Sequence, residues 1–132
     1  MLRLLLVSSN KESLSGLASA LSKHNNIDLS WAASGHKALD MVSKRDVDLV
    51  VTDESLGDMT GLEFAGKLLM VNPVVNCASV SSLSSEDFHD ASEGLGVLMQ
   101  LPARPGEKQA EDLLQRLKQI KDLTADTNSG SP

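Results

Sequence analysis

Asp53 closes an apolar run, Val47 to Thr52, and is a carboxylate placed where a buried segment reaches solvent. Other side chains stand in comparable places: Ser8 and Ser9 after Leu4 to Val7, Ala78 and Ser79 in the run that opens at Val74, and Leu101 directly before Pro102. Together they offer hydroxyls and alkyl groups around one carboxylate, without the paired acid and base that proton-transfer catalysis uses. Cys77 lies inside an apolar run, where a free thiol serves as a small core residue more often than as a nucleophile or redox sensor. His24, His36 and His89 are far apart and lack metal-ligand spacing. No glycine-rich fingerprint follows the first apolar run, which argues against dinucleotide binding. The serine-rich Ser79 to Ser85 contains no glycine and reads as a flexible loop, not as a phosphate nest.

Side chains so distant in sequence can meet only if the elements between them gather strand ends at one place. Five short apolar runs alternate with five amphipathic stretches. Leu4 to Val7 is continuous, as a strand buried on both faces should be. Leu14, Leu17, Ala18 and Leu21 follow at helical spacing, opened by Ser9-Asn10-Lys11-Glu12 as a capping box. Ile27, Leu29, Trp31 and Ala33 alternate with polar residues, the pattern of a half-exposed edge strand, and Ser34 then caps a helix carrying Ala38, Leu39, Met41 and Val42. Val47 to Thr52 is the third strand. Thr60-Gly61-Leu62-Glu63 is a second capping box, with Leu62, Ala65, Leu68 and Leu69 as the apolar face of a helix that Pro73 ends. Val74 to Ala78 reads as the fourth strand, and Ser84 with Asp87 caps a weak helix around Phe88 and Ala91. Val97 to Leu101 is the fifth strand. Pro105 suits the first turn of a last helix, whose face is Ala110, Leu113, Leu114, Leu117 and Ile120. Residues 1–123 form the folded unit, and the small, polar residues 124–132 form a flexible C-terminal tail or linker stub.

Such an order implies an α/β fold: a three-layer (βα)5 sandwich with a parallel five-stranded sheet, right-handed crossovers and helices on both faces. The strand order 2-1-3-4-5 is borrowed from flavodoxin-like folds, in which ligands sit beyond the carboxyl ends of the strands at the switch between strands 1 and 3. Ser8, Ser9, Asp53, Ala78, Ser79 and Leu101 fall at those ends.

At 132 residues the chain fits one domain, long enough to bury roughly two thirds of its unfolded surface without disulfide or metal support. Aromatic residues make up only 2% (Trp31, Phe64 and Phe88), so the core must be aliphatic. A formal charge of −6, with Lys and Arg scattered, argues against nucleic acid as a direct partner. The single cysteine favours a reducing cytoplasm. The apolar start, Met1 to Ser8, is too short for a signal peptide and lacks a multiply charged leader and a small-residue cleavage site. No segment approaches the roughly 18 to 20 apolar residues of a membrane span, so a membrane partner is not expected.

The stretch Asp48-Leu49-Val50-Val51-Thr52-Asp53-Glu54-Ser55-Leu56-Gly57-Asp58-Met59-Thr60-Gly61-Leu62-Glu63 resembles the third strand and following loop of response-regulator receiver (CheY-like) domains. The resemblance covers about residues 2 to 121 and lies in the register of all ten elements more than in any one motif. It implies a small phosphoryl-transfer site in which an acidic pair after strand 1 and an acceptor Asp hold magnesium. A hydroxyl ending strand 4 and a lysine before a proline after strand 5 contact the phosphoryl oxygens. Positioning and charge neutralisation carry such chemistry.

Carried over residue by residue, the acceptor is Asp53. The acidic pair falls on Ser8 and Ser9, the strand 4 hydroxyl on Ala78, with Ser79 one residue away, and the lysine on Leu101. Gly57 stands for the turn proline and Thr60 for the helix-opening Asp. Four of five pocket positions thus lack the family's functional group. Metal is not expected: Asp53, the Ser55 carbonyl and Glu54 are the only remaining ligands, and removing two carboxylates relieves the like-charge repulsion a metal would offset. Lys11 or Arg104 could pair with Asp53 as a permanent substitute for the ion. The Leu101–Pro102 bond is expected cis, as receivers hold it, because X–Pro is the one bond where cis costs under about 1 kcal/mol.

These readings make the chain a degenerate pseudo-receiver: a non-enzymatic, cytoplasmic signalling module of two-component or phosphorelay type. It would act on protein partners through the face of the fourth helix, fifth strand and fifth helix, without cofactor or phosphorylation. Two alternatives stay open. One is a phosphorylatable receiver using Asp53 as an atypical acceptor, with magnesium as its cofactor. The other, weaker one is a flavodoxin-like small-ligand binder or enzyme.

Overall fold

In the computed structural model, which describes residues 1–129 and the side chains of residues 1–120, strands and helices alternate along the chain. The strands are β1 (Leu2–Val7), β2 (Ile27–Ala32), β3 (Leu49–Thr52), β4 (Asn76–Val80) and β5 (Val97–Leu101). The helices are α1 (Ser15–Leu21), α2 (Gly35–Lys44), α3 (Gly61–Val71), α4 (Ser85–Ser92) and α5 (Glu107–Ser129). The sheet is parallel, in the order β2-β1-β3-β4-β5. Two cores follow from the period-2 alternation of strand side chains. Leu4, Leu6, Leu49, Val51, Ala78, Val80 and Leu101 face α1 and α5, meeting Leu17, Leu21, Leu113 and Leu117. Leu5, Val7, Val50 and Cys77 face α2 and α3, meeting Ala38, Val42, Phe64 and Leu68. Continuous apolar strands are therefore used on both sides.

Helix starts follow their caps. Ser34 accepts the Lys37 N–H, Thr60 the Glu63 N–H and Ser84 the Asp87 N–H, each at 3.1 Å. The first helix is different. Asn10, not Ser9, is the cap, accepting the Glu12 N–H at 3.2 Å, and it opens a 3-10 turn over Lys11–Leu14 before α1 begins. That tighter turn decides where Ser13 points.

Several boundaries differ from the sequence expectation. β3 opens at Leu49 rather than Val47. β4 lies two residues later than expected, because the Asn72 side chain accepts the Val74 N–H (3.3 Å) and the Asn72 carbonyl accepts the Val75 N–H (3.3 Å), curling that segment into a turn. Val74 is consequently 82% exposed. Ser79 and Val80, expected in the loop, are the last buried residues of β4. Pro105 precedes α5 instead of sitting in its first turn; Gly106 opens the helix, its N–H donating to Gln109 Oε1 at 2.8 Å. Past Thr124, where a tail was expected, α5 continues to Ser129, and residues 130–132 of that tail lie outside the described residues. Among the described residues, no helix is long and apolar enough to cross a membrane.

Candidate functional site

Asp53 follows the last residue of β3, its N–H donating to the Val7 carbonyl at 2.9 Å, so the end of the central strand holds its backbone. The side chain is half-buried and fully engaged. Oδ1 accepts the Glu54 N–H at 2.9 Å. Oδ2 accepts the Ser8 hydroxyl at 2.8 Å and also the Ser13 hydroxyl. Both hydroxyls lie near the Asn10 carbonyl as well. Each hydroxyl has a single proton for these two acceptors, and the charged carboxylate oxygen is the stronger of them. Ser8 is buried, whereas Ser9 is exposed on the rim. Sequence reasoning missed Ser13, because no periodicity shows that a 3-10 turn aims it back at β3.

The remaining expected positions divide. Ser55 is exposed in the loop after Asp53 and bridges to Thr60. Ala78 is fully buried, two residues before the end of β4 and packed among the α1 and α5 side chains, so it does not line this site. The residue that leaves β4 here is Ser81, 7% exposed, its N–H donating to the Leu101 carbonyl at 3.0 Å. The shift follows from the displaced strand. Leu101 is fully buried in the same core instead of facing Asp53, as an alkyl side chain with an apolar face beside it should be. The Leu101–Pro102 bond is trans, which corrects the expectation of cis; with Leu101 turned into the core, nothing at that bond has to aim a polar side chain. The turn into α5 is made further on by Arg104, at φ 51.

Nor does a cation stand in for the metal. Lys11 Nζ sits 5.3 Å from the centroid of the Trp31 ring, and among the described residues no Lys or Arg forms an ion pair with Asp53. Trp31 is half-buried on edge strand β2, so its ring attracts Lys11 away from the carboxylate. Glu54 also turns away: its carboxylate accepts the Ser82 N–H (2.8 Å) and hydroxyl (2.9 Å). Magnesium calls for several oxygen ligands in octahedral array. This site supplies one carboxylate, already bound by three donors, and no group of three or more His, Cys, Asp or Glu among the described residues could hold a metal ion. The residues present do not fit the ion that the family resemblance implies.

The loop between β3 and α3 is shaped by its glycines and by Asp58. Gly57, in place of a proline, has φ +84, which the pyrrolidine ring forbids. Leu56 and Met59 on either side are buried against α2 and α3. Gly61 must be glycine because a Cβ there would collide with the Asp53 carbonyl and the Ser79 hydroxyl. Asp58 reaches across to α2, Oδ1 accepting the Gly35 N–H and Oδ2 the His36 N–H, both at 3.0 Å, with His36 Nδ1 2.6 Å from Oδ2. The Gly35 and His36 backbone donors, seconded by the imidazole, lower its pKa to about 2. Cys77 is the opposite case. Burial pushes the thiol up to about 12, which suits a core residue and not a redox sensor.

A hollow of about 240 Å³ lies between the start of α3 and the end of β4, lined by Thr60, Leu62, Val80, Ser81 and Leu83. Larger hollows open at the amino ends of the strands, around Met1, Leu2 and Ile27 or Arg3 and Arg45, far from Asp53.

Compared with known families, residues 4–104 match the response regulator receiver domain. Among solved structures, the chain is similar to the chemotaxis response regulator CheY4 of Vibrio cholerae, with TM-score 0.78 and 20% identity over 89% of this chain and 98% of that one. It is similar, too, to the signal receiver domain of an HD domain-containing protein from Pseudomonas fluorescens Pf-5 (TM-score 0.80, 21% identity, 94% and 92% covered). A third is a response regulator from Burkholderia pseudomallei with a phosphorylated aspartic acid, calcium ion and citrate (TM-score 0.73, 18% identity, 100% and 76% covered). No curated protein sequence matches.

Proposed function

Given that the chain belongs to the response regulator receiver domain family, we propose that it is a pseudo-receiver, a two-component signalling module that acts on a protein partner without being phosphorylated. One observation carries this reading. The Asp53 carboxylate is engaged by two serine hydroxyls and a backbone N–H, where a working site would use metal and lysine. Hydroxyl dipoles satisfy a carboxylate but cannot offset the nearly two further charges of an acyl phosphate. Each missing charge-assisted contact is worth about 1.5 to 3 kcal/mol, or one to two powers of ten in rate. No cofactor is needed. The partner face is that of α4, β5 and α5, an assignment made by analogy with the family. The signalling unit is residues 1–123, with 124–132, into which α5 runs on as far as Ser129, as its tail or linker, and its place is the cytoplasm.

A second reading has one observation in its favour: Asp53 is half-buried, not sealed, so a small phosphodonor can reach it. It then accepts phosphate slowly. An amide NMR titration with magnesium and beryllium fluoride, which mimics the acyl phosphate, separates the two. Silent resonances around Asp53 are expected. Saturable shifts there, lost in Asp53→Asn, would overturn the pseudo-receiver in favour of the switch.

A further inference from the structure

α4 is the most weakly packed helix of the fold. Of its eight residues, only Phe88 is buried; Glu86, Asp87, His89 and Asp90 are exposed. So short a helix does not persist by itself, and something must fix where it lies. The segment leading into it, Ser81 to Ser84, is held from both sides by side chains of other elements. From the β3 side, Glu54 accepts the Ser82 N–H at 2.8 Å and the Ser82 hydroxyl at 2.9 Å. From β5, the two amide hydrogens of Gln100 go one each to the carbonyls of Leu83 (2.7 Å) and Ser81 (3.2 Å). Three consecutive residues thus have backbone groups tied to two strands that are not neighbours, since β4 lies between β3 and β5. Ser81 closes the arrangement, its hydroxyl accepting the Leu83 N–H at 3.2 Å.

We propose that Glu54 and Gln100 are positioning residues forming a two-armed latch that sets where α4 lies. Glu54 is the residue next to Asp53, and its backbone N–H is already bonded to that carboxylate. The latch therefore ties the segment leading into the outer helix to the end of β3 by one polar arm and to β5 by the other. This goes beyond the pseudo-receiver reading, and a different measurement tests each. The magnesium and beryllium fluoride titration at Asp53 decides the one; backbone mobility in α4 decides the other.

The experiment is amide hydrogen exchange on the full chain and on Glu54→Ala, Gln100→Ala, the double variant and Glu54→Gln. In the double variant, exchange over residues 84–92 should speed up about tenfold or more, the scale of losing several net hydrogen bonds, while β1 and β3 stay protected. Glu54→Gln should fall closer to the parent than Glu54→Ala, because a carboxamide oxygen still accepts the Ser82 N–H. Exchange in α4 within about twofold of the parent in the double variant overturns the latch. If the double variant loses protection everywhere, the single variants decide. Acceleration confined to α4 supports the latch, and unchanged exchange there overturns it.

Discussion

Ser13 and Ser8 donate to the same oxygen of Asp53, so removing either hydroxyl leaves a half-buried carboxylate one donor short. Ser13→Ala should cost about 1 kcal/mol, and Ser8→Ala at least as much, because Ser8 is buried and also accepts the Asn10 N–H. Urea melts check this, and unchanged midpoints in both variants would mean that water replaces the hydroxyls without loss. Asp58 makes a different demand. Its pKa falls from 3.8 to about 2 because the folded state binds its charged form through the Gly35 and His36 N–H groups. A depressed carboxylate stabilises the fold above its unfolded pKa and loses that contribution as pH falls through the folded one. Asp58→Asn should therefore destabilise the protein at neutral pH, and the parent's advantage should shrink steadily between about pH 4 and pH 2. Parallel stability curves for the two proteins across that window would refute the assignment.

At the scale of elements, Gly61 is the tightest joint: the start of α3 lies directly against the Asp53 carbonyl. Gly61→Ala, although a good helix former, should destabilise by about 1 to 3 kcal/mol through overpacking, measured against Gly66→Ala, where a Cβ meets only ordinary contact with Leu95. Equal effects at both positions would remove the argument. The strands and helices were largely legible from the sequence, since continuous apolar runs and capping serines and threonines depend on local chemistry. Ser34, Thr60 and Ser84 cap as their types and positions imply. What local chemistry could not show was where a run of valines stops being strand. Val74 and Val75 carry strand propensity, but an asparagine side chain two residues upstream bends them away. That slip of two residues put the strand end at Ala78 instead of Val80, and so passed over Ser81, the first residue beyond the strand. Ser13 and the Glu54–Ser82 contact were illegible for a related reason: each joins residues 28 or 40 positions apart through a loop geometry that no pattern encodes.

For the molecule as a whole, the question is what the missing carboxylates did to the fold. A pocket with three carboxylates repels itself until a cation arrives; here one carboxylate rests on hydroxyls. Magnesium should leave the melting temperature of this protein unchanged. Ser8→Asp with Ser9→Asp should lower it without metal, then recover it on adding magnesium. Equal stabilisation of parent and variant by magnesium would show that Asp53 still binds metal unaided. The chain carries its own reporter for such events. Trp31 is the only tryptophan and there is no tyrosine, so near-ultraviolet emission comes from one ring. Over that ring sits Lys11, the first residue of the 3-10 turn that delivers Ser13 to Asp53. An event that displaces the turn itself moves the backbone that carries both Ser13 and Lys11. A rearrangement at Asp53 that reaches this turn is thus readable, without a label, in the colour and intensity of a single fluorophore at the edge of the sheet.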